Sequence, residues 1–244
     1  MDLNKAVAIV TGGAKGYGAG IAEALRSRGA EVWITGRDEK ALAAAAKRLG
    51  VHAIRADVAS GTDWDRVFAE VLQARGRLDV LVNNAGAGGH IAPLGEQTDD
   101  EIHRVISVNL TGVLLGCRRA AAVMMKQKSG LIVNVSSVCA LHAWPGWSVY
   151  TAAKAGVSKF SRGLYTELRP HGVRVTTLTP SWGATEFAEA AHIPNSPSAD
   201  PAIRRQCIQP RELGEVVVSL AVMPDHLAVP DLVIQPLVQE IMPM

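Results

Sequence analysis

Tyr150 and Lys154 stand four residues apart, a spacing that puts both on one face of a helix about a turn apart. A phenol has a reference pKa of ~10, so at neutral pH it is protonated and can donate a proton. To accept one it needs its anion stabilised. Lowering the phenol toward neutrality takes roughly 4 kcal/mol, within reach of two close cations in a water-poor site. Ser137 lies thirteen residues before Tyr150, just past an apolar run, where its hydroxyl can hydrogen-bond the same substrate oxygen. Such a set suits chemistry at a carbonyl or an alcohol.

A second constellation opens the chain. The apolar run 6–11 leads into Thr11-Gly12-Gly13-Ala14-Lys15-Gly16-Tyr17-Gly18, followed by helical spacing of Ile21, Ala22 and Leu25. Glycine lets backbone approach a ligand closely, and a helix beginning there turns free N–H groups toward it, which suits a pyrophosphate. The acid that would hold an adenosine ribose should stand just past the second strand, about 20 residues on. That place is held by Gly36-Arg37, and Lys15 lies inside the glycine loop. Two converging cations suit a 2′-phosphate, so NADP(H) is expected over NAD(H). Asp38 is the rival for an unphosphorylated ribose, but it is better placed as the N-cap of the next helix, ahead of Glu39-Lys40-Ala41.

Positioning these residues requires an alternation of strands and helices. Strands are expected at 6–11, 31–35, 51–56, 78–82, 130–135, 173–179 and 231–238. Helices are expected at 18–29, 39–49, 63–75, 99–126 and about 150–169. Strands that are apolar throughout, separated by helices, imply one domain over 1–244. It is a Rossmann-type doubly wound parallel sheet of about seven strands with helices on both faces. The stretch 188–210, with Pro194, Pro197, Pro201 and Pro210 among polar residues, reads as a mobile excursion over the carboxyl edge of the sheet, and a substrate lid is expected at about 186–210.

Composition narrows the partners. Of 244 residues, 48% are hydrophobic and 20% charged, and a net charge of +2 nominates no nucleic acid. The N-terminus lacks the longer apolar region of a signal peptide, and no segment approaches the ~18 apolar residues of a membrane span, so a cytoplasmic location is expected. Cys117, Cys139 and Cys207 are odd in number and widely spaced, which reads as reduced, buried thiols. The seven histidines show no metal-ligand pattern, and no catalytic metal is expected.

Together these motifs resemble the short-chain dehydrogenase/reductase family over nearly the whole chain, in the family's order. Thr11-Gly12-x-x-x-Gly16-x-Gly18 matches its cofactor loop, and Asp57-Val58 the pair that contacts adenine. Asn83-Asn84-Ala85-Gly86 matches the motif that stabilises the sheet and lines the cofactor. Asn109, Ser137, Tyr150 and Lys154 match the catalytic tetrad. The resemblance implies an NADP(H)-dependent carbonyl reductase, reversible as an alcohol dehydrogenase. In it Ala14, Tyr17, Pro180 and Thr185 join the cofactor site, Lys154 also holds the nicotinamide ribose, and Asn109 binds a water linking Lys154 to solvent.

Two departures stand out. In Pro180-Ser181-Trp182-Gly183-Ala184-Thr185 a serine occupies the family's usual glycine place, and Pro230-Asp231-Leu232-Val233-Ile234-Gln235-Pro236 replaces the common Asp-Gly-Gly ending. Trp144, Trp147, Trp182 and Phe187 cluster about the motifs that should face substrate, as an apolar pocket wall or as packing. Val157, Phe160, Leu164 and Leu168 form one stripe on the Tyr150 helix, which in this family commonly makes a subunit interface, so a homotetramer or homodimer is expected. Competing functions are a 3-oxoacyl carrier-protein reductase, for which Arg204, Arg205 and Arg211 could form a basic entrance, and a non-catalytic NADP-binding regulator.

Overall fold

The computed structural model describes residues 1–191, 193 and 196–240. Seven parallel strands form one sheet in the order β3-β2-β1-β4-β5-β6-β7. They are β1 (Val7–Thr11), β2 (Glu31–Gly36), β3 (His52–Arg55), β4 (Val80–Asn83), β5 (Gly130–Val135), β6 (Val173–Pro180) and β7 (Asp231–Ile234). The order reverses between β1 and β4, and a crevice opens at the carboxyl ends of strands there. The expected strands all form. The last is shorter than expected, because beyond Ile234 the chain leaves the sheet for Pro236.

Alternate residues of β1 divide the core. Ala8 and Val10 face a layer made by α1 (Gly16–Ser27), α2 (Glu39–Leu49) and α9 (Pro210–Val222). Val7 and Ile9 face α3 (Gly61–Arg75), α5 (Gly112–Gln127) and α6 (Ser148–Leu168). Helix α9 was not expected from the sequence. It starts at Pro210 behind a capping box of Gln209 and Glu212, and it packs on α1 at two glycines, Gly20 and Gly214. A Cβ on Gly20 would lie 2.2 Å from the Pro210 carbonyl oxygen, so only glycine admits that approach.

The helix expected over 99–126 is α4 (Asp99–Ile106) joined to α5 by a π-helical turn, Ser107–Thr111. By length and composition alone this continuous helix would pass for a membrane span. Its Val113, Cys117, Ala120 and Met124 instead pack on the sheet. A second correction concerns the α6 stripe assigned to a subunit interface. Val157, Leu164 and Leu168 are buried against the chain's own sheet, with Phe160 packed at the margin. All three cysteines are free and buried.

The excursion over 188–210 carries α7 (Phe187–Ala190), a 3₁₀ turn (Pro197–Ala199) and α8 (Pro201–Arg204). Pro194 lies outside the described residues.

Candidate active site

A cleft of about 690 Å³ runs along the carboxyl edge of the sheet. Its floor at one end is the turn between β1 and α1. Gly12 there has φ +65°, and a Cβ on it would stand 3.0 Å from Ala85 Cα, so the turn and the segment after β4 are in close contact. Thr11 stitches them together: its Oγ1 accepts from the Asn84 and Ala85 amides at 2.9 Å each, and its carbonyl accepts from Asn84 Nδ2 at 2.9 Å. Gly12, Ala14, Lys15, Gly16, Tyr17, Asn84, Ala85 and Gly86 all line the cleft. Gly18 does not. A Cβ on it would meet the Gly12 carbonyl oxygen at 2.2 Å, which makes it a packing glycine behind the loop.

Lys15 and Arg37 line this end, both exposed, and neither forms an ion pair among the described residues. Asp38 Oδ1 accepts from the Ala41 amide at 3.0 Å, so it is the N-cap of α2. Asp57 and Val58 close the same end after β3. The Asp57 carboxylate accepts from the Ala59 amide, while its own amide donates to Asp63, which fixes the turn into α3.

This part of the cleft fits a phosphate-bearing dinucleotide. The first turn of α1 has no side-chain cap, leaving its amides for an anion. Two residues on the cleft wall, Thr35 and Ser181, have buried hydroxyls with no hydrogen-bond partner among the described residues.

At the centre, Ser136 and Ser137 follow the end of β5 beside α6. Ser136 Oγ donates to the Lys154 carbonyl at 3.1 Å and lies 2.8 Å from Ser158 Oγ, which pins the helix to the strand. Tyr150 and Lys154 share the inner face of α6, only 7% and 3% exposed. Lys154 Nζ donates to the Val135 carbonyl at 2.9 Å. Burial pushes the phenol above its ordinary value, the neighbouring Cys139 adds to this, and the Ser137 hydroxyl opposes it. Burial pulls the Lys154 ammonium down to about 8. The protein by itself therefore holds the Tyr150 phenol protonated at neutral pH.

Asn109 is fully buried behind this wall rather than in it. Its Nδ2 donates to the carbonyls of Ala87 (2.7 Å) and Val105 (2.9 Å), and its Oδ1 accepts from the Ala87 amide at 3.2 Å. Taking the Val105 carbonyl four residues back competes with the helical ladder, and the π turn sits at this point. With both side-chain ends engaged, Asn109 braces the segment through Gly86, whose Cβ would lie 3.7 Å from Lys154 Nζ.

The far end is walled by Trp144, Trp147, Trp182 and Phe187. Trp147 meets Tyr150 edge-on at 5.5 Å, and Phe187 is tilted against it at 5.6 Å. The Pro180–Thr185 loop, which departs from the family's usual sequence, is held from three sides. The Ser181 amide donates to Ile234, the Ala184 amide to Ile208, and the Trp182 amide to Gln239 Oε1 at 3.0 Å. Tyr17 fixes its path: a Cβ on Gly183 would meet the Tyr17 hydroxyl at 2.2 Å, and that hydroxyl donates to the Ser181 carbonyl at 3.4 Å. Pro180 and Thr185 line the cleft, with Thr185 Oγ1 accepting from the Phe187 amide. Sequence reasoning missed Cys139 and Gln239. Cys139 follows Ser137 by two residues and was legible, whereas Gln239 reaches the site only through the path of the C-terminal segment.

A doubly wound parallel sheet with a glycine turn at its switch point defines a dinucleotide-binding α/β protein. The chain belongs to the short-chain dehydrogenase/reductase family: the short chain dehydrogenase model matches residues 6–194. It is an oxidoreductase of that family. It is 31% identical over 242 residues to an uncharacterized oxidoreductase of Staphylococcus saprophyticus, covering 97% of this chain and 99% of the relative. It is 36% identical over 193 residues to a 3-oxoacyl-[acyl-carrier-protein] reductase of Synechocystis sp., covering 77% and 78%. The closed form of a serine dehydrogenase complexed with NADP+ superposes with a TM-score of 0.90 at 26% identity, over 98% of each chain.

Proposed function

We propose that the chain is an NADP(H)-dependent reductase of ketones or aldehydes, acting in reverse as an alcohol dehydrogenase. The observation that carries this reading is the buried Tyr150, held as a proton donor on the cleft wall with Ser137 before it and Lys154 one turn after. NADPH supplies the hydride when bound. Tyr150 gives its proton to the oxygen of the carbonyl being reduced, Ser137 hydrogen-bonds the same oxygen, and Lys154 holds the nicotinamide ribose. The glycine turn takes the pyrophosphate, Asp57 and Val58 take the adenine, and Thr185 faces the nicotinamide. Lys15 and Arg37 receive the 2′-phosphate, supported by their exposure, their lack of ion pairs among the described residues and the NADP+ bound in the serine dehydrogenase.

Segment 186–210 serves as the substrate lid of one domain spanning 1–244. The chain works in the cytoplasm as a homo-oligomer, a tetramer or a dimer. Support for association comes from Val233 on the open edge strand β7 and from the fully exposed Leu237, which would be covered by a second copy. Light scattering of the purified protein measures this.

A 3-oxoacyl carrier-protein reductase is the second reading. The Synechocystis relative favours it, as do Arg205 and Arg211, exposed on the segment around α8 and α9. Following NADPH oxidation on ketones, aldehydes, keto acids and 3-oxoacyl thioesters, with NADH in parallel, decides between them. Turnover faster with NADPH on free carbonyls supports the first reading, and turnover only on carrier-bound thioesters supports the second. Silence throughout despite tight NADPH binding removes both.

A further inference from the structure

We propose that the substrate is an uncharged carbonyl compound bearing a flat apolar group, such as an aryl ketone, and that the site rejects carboxylates. The inference rests on the carbonyl-reductase reading and narrows it.

Its basis is how charge divides along the cleft. Three cations line it among the described residues: Lys15, Arg37 and Lys154. Lys15 and Arg37 stand at the end built from β1 and β2, and Lys154 is tied to the Val135 carbonyl. Beyond Tyr150 the walls are Cys139, Trp144, Trp147, Trp182 and Phe187, with no charged side chain among the described residues; the Glu186 carboxylate is turned toward the glycine loop, 3.6 Å from where a Cβ on Gly16 would stand. A carboxylate bound there would lose its water and meet no cation among the described residues. Thiolate character at Cys139 does not alter this, because burial holds that thiol above its ordinary value.

The shape of the wall selects the apolar group. A carbonyl oxygen within hydrogen-bond reach of Tyr150 places its substituents among the rings that flank the phenol, Trp147 edge-on at 5.5 Å and Phe187 tilted at 5.6 Å. Rings set at such angles receive a planar group in offset or edge-to-face contact. In the reaction the hydride that NADPH would supply, leaving NADP+, would bring its electron pair to the carbonyl carbon as the π pair of the C=O bond moves to the oxygen. The oxygen takes the Tyr150 proton, giving the secondary alcohol.

The test compares acetophenone, methyl benzoylformate and benzoylformate with NADPH and the full-length enzyme; the last two share the ring and the ketone and differ in charge. Both neutral compounds should be reduced, and kcat/KM for benzoylformate should be lower than for its ester by about 100-fold or more. Trp147→Ala should raise KM for acetophenone, and quenching of tryptophan fluorescence by the ester reports its binding apart from turnover. Equal or better turnover of benzoylformate overturns the proposal. So does reduction of charged carbonyls with neither neutral aryl compound accepted, an outcome that leaves the reductase reading standing. No reduction of any carbonyl by a protein that binds NADPH removes both.

Discussion

Lys154 Nζ stands 5.7 Å from the centroid of the Tyr150 ring and donates its hydrogen bond to Val135, not to the phenol. Its influence on Tyr150 is thus one of charge and placement. The consequence is testable by removing only the phenol oxygen. Tyr150→Phe keeps the ring that packs against Trp147 and Phe187, so folding and NADPH affinity should be unchanged. Turnover should fall by about 10²–10⁴, the usual worth of a positioned proton donor. Fluorescence titration with NADPH and steady-state rates check the two halves separately, and a variant that still turns over would remove Tyr150 from the mechanism.

The same pair sets a pH dependence. Lys154 has its pKa lowered by burial to about 8, so its charge is present below that pH and lost above it. Tyr150 is raised by burial and stays protonated across the same window. For carbonyl reduction, kcat/KM reports the free enzyme. It should therefore be level from about pH 6 to 7 and decline as pH passes through about 8. Rates measured in buffers of constant ionic strength test this, and a reductive profile that rises through pH 8 contradicts it.

Sequence reasoning carried further for the sheet than for the cleft. Strands β1, β2, β4, β5 and β6 were legible because each is an apolar run buried on both faces, a signal that needs no tertiary context, whereas β3 at the sheet edge buries only Ile54. Helix α9 escaped because its apolar pattern followed a proline-rich stretch that drew attention as a loop, although Gln209-Pro210-Arg211-Glu212 carried a readable start signal. The α6 stripe was seen correctly and given the wrong partner, since periodicity shows that a face is buried and not what buries it. Gly18 was grouped with the cofactor residues by spacing, and its contact with the Gly12 carbonyl belongs to turn packing. Asn109 shows the same limit: it sits in a π turn and donates to the Val105 carbonyl, neither of which spacing encodes.

Lys15 and Arg37 form no ion pairs among the described residues, so replacing them leaves no buried partner unsatisfied. Each charge-assisted bond to a 2′-phosphate is worth about 1.5–3 kcal/mol. Changing both to Ala should raise KM for NADPH by two orders of magnitude or more, on the scale of about 1.4 kcal/mol per tenfold, and leave KM for NADH nearly unchanged. Initial rates with each cofactor measure the ratio. An unaltered preference for NADPH would place phosphate recognition on other groups, of which Arg55, donating to the Arg37 carbonyl, is one to try.

The contact between α1 and α9 offers a prediction about stability rather than chemistry. Gly20 and Gly214 let the two helices approach so closely that a Cβ on Gly20 would sit 2.2 Å from the Pro210 carbonyl oxygen and 2.7 Å from the Arg211 amide nitrogen. Those are backbone atoms, so no rotamer change can relieve the overlap, and the helices must separate. Alanine in a helix interior is intrinsically favoured over glycine by about 1 kcal/mol, so propensity alone predicts a gain for Gly20→Ala. Overpacking of a close helix contact typically costs about 1–3 kcal/mol and here acts on rigid groups, so the steric term should win. Urea unfolding of Gly20→Ala should show a lower midpoint than the parent. Because α1 also presents its first turn to the cleft, NADPH affinity should weaken in parallel. A variant more stable than the parent would show that α9 can move away without loss, and that the glycine pair is not what sets the spacing of the two helices.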